Sequence, residues 1–189
     1  MLLHVLDIIG AVFSFFSTVA YIRVSVIAWP LGIVSLLIDL YLYFTKGIYA
    51  DMTLHFMYLL MTFYGWYEWK FGGDNKEELP IGSISKGMLF SLTLFGIVSA
   101  STLYFFLKDY AHSQIPLWDA TSTVVSLIAQ FLICRKIIEC WFLWFFVDMV
   151  YSGMYIYKGI PAHGIVQFIY VGMAVVGYLN WQKQLQLIK

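Results

Sequence analysis

Seven long apolar runs, separated by short polar breaks, constrain this chain more than any other feature. Each run is close to the length of about 20 residues that an α-helix needs to cross a bilayer core. Of the 189 residues 61% are hydrophobic and only 12% are charged, which is too apolar for a small soluble domain. The sequence predicts an all-α membrane protein with seven transmembrane helices, over residues 5–22, 26–45, 49–69, 87–107, 117–134, 138–157 and 162–181.

A polar loop divides these predicted helices into two groups. Residues 71–86, FGGDNKEELPIGSISK, carry Gly, Pro and charges of both signs, and we expect them to be solvated. The loop follows a first three-helix bundle, residues 1–70, and precedes a linker helix, residues 87–107. A second three-helix bundle with its preceding loop takes up residues 108–189. The N-terminal segment lacks the basic region of a signal peptide, so we expect it to be retained as the first helix.

Lysine and arginine are unequally distributed between the two sides of the predicted helices. One side carries Lys46, Lys108 and Lys158. The other side carries a larger group: Arg23, Lys70, Lys76, Lys86, Arg135, Lys136, Lys183 and Lys189. Because short cytoplasmic loops are enriched in positive charge, we expect the N-terminus outside and the C-terminus in the cytoplasm.

The two groups of helices repeat one another. Shifted by 112 residues, residues 7–70 align without gaps with residues 119–182, and 16 of the 64 pairs are identical. Chance agreement between apolar helices does not explain the polar and aromatic matches, which include Asp7 with Asp119, Ser14 with Ser126, Arg23 with Arg135, Trp29 with Trp141, Tyr43 with Tyr155, Tyr58 with Tyr170, Gly65 with Gly177 and Trp69 with Trp181. Four helices separate equivalent points, so the copies are parallel. Such repeats usually frame a substrate site at their interface, which favours a carrier over a duplication kept only for structure.

Polar and aromatic residues recur at helical spacing on several of the predicted helices. Inside lipid they are costly and normally face a cavity or a partner. We take ten as candidates for substrate binding: Trp29, Asp39, Tyr43, Gln130, Cys140, Trp141, Trp144, Asp148, Tyr151 and Gln167. We interpret Trp66, Trp69 and Trp181, near a predicted membrane boundary, as an aromatic belt. Asp51 and His55 could form a relay pair or pack helices together, and no third ligand accompanies them, so no metal site is predicted.

A pocket of aromatic rings, amides and carboxylates suits one class of ligand best. Aromatic faces stack on flat rings and attract cations, and amides bond to polar arms, so we expect a flat, cationic heteroaromatic compound. Phosphate is disfavoured because no arginine cluster faces the interior, and a net charge of zero gives no reason to expect nucleic acid. No catalytic motif or cofactor-binding motif is present. A membrane enzyme, a sensor or assembly subunit, and a sugar carrier remain alternatives.

The chain resembles the PnuC family of bacterial vitamin transporters, which are SWEET-like seven-helix proteins that carry nicotinamide riboside. The resemblance spans nearly the whole chain. It rests on AWPLGI (28–33), YGWYEW (64–69), AVVGYLNW (174–181) and above all DATSTVVSLIAQFLICRKIIECWFLWFFVDMVYSGMYIYKG (119–159). It implies a 3+1+3 arrangement of helices in the inner membrane and assembly as homotrimers. It also implies facilitated diffusion of a nucleoside that cytosolic phosphorylation then traps.

The same resemblance leaves the substrate open. Family members that bind nicotinamide riboside carry an Asn four residues before a Trp in each half. Here Ser25 precedes Trp29 and Cys140 precedes Trp144 at that spacing. Relatives of the family carry thiamine or riboflavin, so these two vitamins are the alternatives to nicotinamide riboside.

Overall fold

The computed structural model of the protein describes residues 2–157 and 161–188, and seven α-helices make up most of them. The helices are α1 (Leu2–Ile22), α2 (Ala28–Lys46), α3 (Tyr49–Phe71), α4 (Lys86–Asp109), α5 (Pro116–Cys134), α6 (Cys140–Tyr157) and α7 (Pro161–Ile188). Most of their ends fall within three residues of the predicted ones. The exception is α7, which continues to Ile188 because the polar residues after Trp181 are good helix formers. Lys158 and Lys189, which the charge count uses, lie outside the described residues.

Five of the described helices, α1, α2, α4, α5 and α7, are long and apolar enough to cross a membrane. Helices α3 and α6 have 23 and 18 residues, which at about 1.5 Å per residue suffices for a span. Both also contain tyrosines and acidic residues, such as Asp51, Glu68 and Asp148. Both stand between spanning helices, so the protein is a bundle of seven transmembrane helices.

Six of the helices form a closed ring, which we call the helix ring. Its order of contacts is α1, α2, α3, α5, α6 and α7, and α7 closes it by packing on α1. Helix α4 packs outside the ring, against α5. The first repeat therefore supplies α1–α3, the second supplies α5–α7, and α4 is the linker that makes them parallel.

The turns within the two repeats have the same backbone geometry. Val24 in the α1–α2 turn and Lys136 in the α5–α6 turn both have positive φ, 56° and 49°, although neither is glycine. Residues that are 112 apart also donate equivalent hydrogen bonds. The Ser25 amide donates to the Ala20 carbonyl at 2.9 Å, and the Ile137 amide donates to Leu132 at the same distance. The sequence repeat is thus a structural repeat down to single turns.

The repeats are joined by hydrogen bonds that cross from one copy to the other in pairs. The indole of Trp69 on α3 donates to the Ile133 carbonyl on α5 at 2.8 Å, and its repeat mate Trp181 on α7 donates to Tyr21 on α1 at 2.9 Å. The same two helix pairs, α3 with α5 and α7 with α1, share a second bond. The Tyr58 hydroxyl donates to Ser126, and the Tyr170 hydroxyl donates to Ser14. Each closing contact of the helix ring therefore contains the same pair of bonds.

The loop at 71–86 is less solvated than its composition predicted. Ile81 is buried, and Gly82 forms a parallel bridge with Ile137 in the α5–α6 turn. The Gly82 amide donates to the Lys136 carbonyl at 2.9 Å, and the Ile84 amide donates to Glu139 at 3.0 Å. The expectation of a fully solvated loop was wrong for Ile81, Gly82 and Ile84, because the turn offers backbone groups that no helix uses.

The turn beneath that loop holds two cations in different environments. Lys136 is almost fully buried, with Nζ 4.6 Å from the centre of the Trp69 ring, and burial lowers the pKa of its amine. Arg135 donates to the Tyr64 hydroxyl at 3.2 Å and to Glu68 at 2.7 Å. The bond to Tyr64, followed by the charge of Glu68, raises the pKa of this guanidinium. Arg135 therefore ties the second repeat to α3.

Candidate functional site

A cavity of about 350 Å³ lies inside the helix ring, between the two repeats. Its lining residues come from all six helices of the ring, and none comes from α4. At one end the lining reaches Tyr21, near the end of α1. At the other end it reaches Asp51, near the start of α3, and Tyr155, near the end of α6. The cavity is thus where the parallel repeat predicted it.

Eight of the ten candidate residues line the cavity: Asp39, Tyr43, Gln130, Trp141, Trp144, Asp148, Tyr151 and Gln167. Trp29 and Cys140 do not, because both side chains are completely buried in the core below it. Trp29 packs against α3 at Gly65, so tightly that a Cβ there would overlap the indole. The structure thus separates these two residues from the other candidates.

Four tryptophans pack together beside Tyr21, at one end of the cavity, and Trp141 is the one that lines it. We call them the tryptophan cluster: Trp29, Trp69, Trp141 and Trp181. Trp69 stands edge-on to Trp29, with ring centres 5.3 Å apart, and Trp181 lies edge-on to Trp141 at 5.5 Å. Trp69 and Trp181 join the two pairs at 5.9 Å. The belt interpretation of Trp69 and Trp181 was wrong, since both are 0% exposed and bonded to backbone carbonyls of the other repeat.

A row of aromatic rings follows one wall of the cavity. Tyr43 lies 4.7 Å from His55, His55 lies 5.8 Å from Tyr58, and Tyr58 lies 6.5 Å from Trp144, measured between ring centres. His55 Nδ1 donates to the Asp51 backbone carbonyl at 2.9 Å, and its Nε2 is 3.9 Å from the Asp39 carboxylate. The relay pair suggested by sequence does not form between the side chains of Asp51 and His55, because helical geometry brings the ring to the backbone instead.

Acidic groups dominate the charged lining of the cavity. Among the side chains that the structure describes, the lining carries the carboxyl groups of Asp39, Asp51 and Asp148 and the imidazole of His55, and no lysine or arginine. Asp148 is buried, with a relative exposure of 7%. Within the described residues, ion pairs join only Asp39 to His55 and Glu68 to Arg135, so none compensates Asp148. A carboxylate in this position is best compensated by a cation that enters the cavity.

The lining is asymmetric although the surrounding frame is symmetric. Positions 112 residues before Trp144 and Asp148 hold Gly32 and Leu36, which also line the cavity. The second repeat therefore contributes a large ring and a carboxyl group where the first contributes a glycine and an aliphatic chain. Such a lining can hold a flat ligand in one orientation, with its charge towards the second repeat.

Several lining residues were not among the candidates. His55, Tyr58, Tyr155 and Tyr170 recur at helical spacing in the sequence. Helices α1 and α2 contribute a further group: Ser14, Ser17, Thr18, Tyr21, Gly32 and Ser35. Ser14 is one of the repeat matches, whereas the sequence did not single out Thr18, Tyr21, Gly32 or Ser35. The spacing of Ser14, Ser17, Thr18 and Tyr21, by three and four, is a helical stripe that could have identified the α1 face. On α5, two serines serve packing: Ser122 bonds back to the Trp118 carbonyl, and Ser126 accepts from Tyr58.

Nothing in the arrangement resembles a metal or catalytic centre. No group of three or more His, Cys, Asp or Glu side chains within residues 2–157 and 161–188 could hold a metal ion. The aromatic row, two amides and an uncompensated carboxyl group can instead stack on, orient and neutralise a flat cation.

Comparison with known proteins adds to this geometry. A family model described as nicotinamide mononucleotide transporter matches residues 4–183. The riboflavin/roseoflavin transporter RibM of Streptomyces davaonensis is 24% identical over 184 residues, covering 93% of this chain and 83% of RibM. The nicotinamide riboside transporter PnuC of Escherichia coli is 23% identical over 175 residues, covering 79% of this chain and 73% of PnuC. A crystal structure of the vitamin B3 transporter PnuC shares the fold, with a TM-score of 0.75, 22% identity and coverage of 96% of this chain and 82% of that one.

Proposed function

Since the chain belongs to the nicotinamide mononucleotide transporter family, we propose that it takes up a flat, cationic vitamin nucleoside, of which nicotinamide riboside is the preferred substrate. The chain is a membrane transporter and not an enzyme. Transport proceeds by facilitated diffusion through the cavity of the helix ring, and phosphorylation in the cytosol traps the product.

The uncompensated carboxyl group of Asp148 is the observation that carries this proposal. It faces the same cavity as Trp144 and Gln130, and none of the described lysine or arginine side chains lines that cavity. Nicotinamide riboside has a pyridinium ring with a fixed positive charge, a carboxamide and a ribose. In this site the ring stacks on Trp144, its charge neutralises Asp148, and Gln130 and Gln167 bond to the polar groups.

The charge of the lining also favours the nucleoside over a phosphorylated nucleotide. Proteins bind phosphate through arginine, lysine or exposed helix N-termini, and three aspartates line this cavity instead. A mononucleotide would bring its negative phosphate against those carboxyl groups. The family description names the mononucleotide, but the acidic lining supports its dephosphorylated form.

Riboflavin is the second candidate, favoured by the riboflavin/roseoflavin transporter among the relatives. Its ring is flat and fits an aromatic lining, but it is neutral and gains nothing from Asp148. Thiamine is a flat cation and stays an alternative within the cationic class. The charge of Asp148 should therefore matter for a cationic substrate and not for neutral riboflavin.

Uptake into proteoliposomes tests the function and this distinction together. Labelled nicotinamide riboside is expected to equilibrate into vesicles holding the full chain, without an ion gradient or ATP. Asp148→Asn keeps the shape of the side chain and removes its charge, so we expect affinity for nicotinamide riboside to fall about 10–100-fold, the worth of one charge-assisted bond.

Asp109→Asn is the matched control, since it removes a carboxyl group at the end of α4, outside the cavity. It should leave uptake unchanged. If Asp148→Asn leaves nicotinamide riboside uptake intact and riboflavin equilibrates equally well, the cationic substrate is ruled out. If no vitamin enters faster than into empty vesicles, facilitated diffusion is ruled out as well.

The remaining details of the proposal concern assembly and orientation. We infer a homotrimer in the bacterial inner membrane, in which each protomer has its own path. The mass of the purified complex in detergent checks the stoichiometry. The N-terminus lies outside and the C-terminus in the cytoplasm, which the excess of Lys and Arg on one side supports.

A further inference from the structure

The outer face of α1 lacks the cover that the equivalent face of α5 has. Helix α4 packs on α5, where Gly96 lies so close to Ile128 that an added Cβ would come within 3.1 Å of it. The repeat mate of Ile128 is Phe16 on α1. There, a groove of about 420 Å³ runs between α1 and α2, and we call it the α1 groove. Its lining is Val12, Phe13, Phe16, Val19, Ala20, Arg23, Ser25, Ile27 and Leu31.

Arg23, at the polar end of this groove, lacks the ion pair that its repeat mate has. Arg135 is held by Glu68 and Tyr64. The mates of those two residues are Asn180 and Val176 on α7, so Arg23 has no equivalent carboxylate or hydroxyl group there. Asn180 donates to the Ile22 carbonyl instead. Arg23 is exposed, and within the described chain it has no carboxylate at ion-pair distance.

The α1 groove has the dimensions and polarity of a site for one lipid chain. From Val12 to Arg23 it follows α1 for about 16 Å, at about 1.5 Å per residue, and its walls along that length are apolar. Arg23 ends that length at the predicted cytoplasmic boundary of the membrane, where anionic headgroups attract basic side chains. A phospholipid suits both the apolar walls and the charged end of the groove, with an acyl chain along the walls and its phosphate on the Arg23 guanidinium.

We propose that the α1 groove binds an anionic phospholipid of the cytoplasmic leaflet, with the headgroup phosphate on Arg23 and one acyl chain along Val12, Phe16 and Val19. The charge of α4 argues against a second copy of this chain in the same place. If α4 of a second copy filled the groove, its N-terminal end would lie at the level of Arg23. That end begins at Lys86 and has no acidic residue in its first turn. Two like charges would then meet.

Competitive lipid binding tests this proposal. The delipidated full chain in detergent receives equal amounts of palmitoyl-oleoyl phosphatidylglycerol and phosphatidylcholine, and native mass spectrometry counts the bound lipids. We expect the wild type to prefer phosphatidylglycerol, and Arg23→Gln to reduce that preference about fivefold, the effect of one interfacial cation. Binding of phosphatidylcholine should fall less, because its choline cation offsets the charge of its phosphate.

Lys183→Gln is the matched control, an exposed cation on the same side that lies on α7 and not in the groove. It should retain the preference. The proposal is overturned if the wild type shows no preference, or if Lys183→Gln reduces it as much as Arg23→Gln. Dissociation of an oligomer by Arg23→Gln, with lipid binding unchanged, would also overturn it and assign the groove to a second copy.

Discussion

The tryptophan cluster contains two kinds of indole. Trp69 and Trp181 donate their N–H groups to backbone carbonyls, at 2.8 and 2.9 Å. Trp29 and Trp141 are equally buried, but their N–H groups have no acceptor within the described chain. A buried donor without an acceptor costs about 1–3 kcal/mol. The two repeats therefore place the same unfavourable group at the same point beneath the cavity.

This difference predicts unequal effects of one substitution at four sites. Trp→Phe removes the N–H and about the same ring volume each time, so the four variants share the loss of packing. We expect Trp69→Phe and Trp181→Phe to unfold at temperatures several degrees below Trp29→Phe and Trp141→Phe. Cys134 and Cys140 are buried free thiols, so their reaction with a maleimide dye on heating measures unfolding. Equal midpoints for Trp29→Phe and Trp69→Phe would show that the Trp29 N–H has an acceptor.

At the scale of helices, each repeat is held together by a tryptophan that packs on a glycine. Trp29 of α2 covers Gly65 of α3, and Trp141 of α6 covers Gly177 of α7. A side chain at either glycine would occupy the volume of the indole. Close approach of helices through small residues is a usual source of stability in membranes, where burial of apolar surface contributes little.

We therefore expect Gly65→Ala and Gly177→Ala to destabilise the protein by about 1–3 kcal/mol each, the usual cost of overpacking. Gly172→Ala is the control on α7, because a Cβ there has nothing within 4 Å. Alanine favours a helix over glycine, so this variant should be as stable as the wild type or slightly more stable. Thermal unfolding in detergent compares the three, and a Gly65→Ala midpoint equal to that of Gly172→Ala would contradict the tight contact.

At the scale of the whole molecule, symmetry is kept in the frame and lost in the lining. The turns, the paired hydrogen bonds between repeats and the tryptophan cluster all recur at 112 residues. Trp144 and Asp148 stand in the second repeat where Gly32 and Leu36 stand in the first, and all four line the cavity. The frame is suited to two parallel halves that move against each other, while the asymmetric lining is suited to a ligand with two different sides.

The orientation of the molecule can be tested with single cysteines. Ser83, in the 71–86 loop, and Ala111, between α4 and α5, are exposed and lie on opposite sides of the predicted membrane. In intact cells we expect a membrane-impermeant maleimide to label Ala111→Cys and not Ser83→Cys. The wild type is the control, since Cys134 and Cys140 are buried. Labelling of Ser83→Cys alone would reverse the orientation.

Hydropathy, charge and the repeat are properties of the chain itself, and they determined the outline of this protein. Lipid is a uniform apolar solvent, so an apolar run of the right length becomes a span wherever its neighbours lie. The seven helices, their parallel halves and the place of the cavity between those halves followed from this. Eight of the ten candidate residues line that cavity because polar groups avoid lipid.

Only the tertiary structure decided which way the aromatic residues face. Lipid and protein interior are both apolar, so an indole gains little from either one and periodicity does not assign its side. Trp69 and Trp181 were therefore mistaken for a belt, and the burial of Trp29 and Cys140 depends on Gly65 and the helix ring. Arg135 pairs with Glu68, whereas its mate Arg23 has no carboxylate at ion-pair distance within the described chain, and both depend on which helix packs beside each turn.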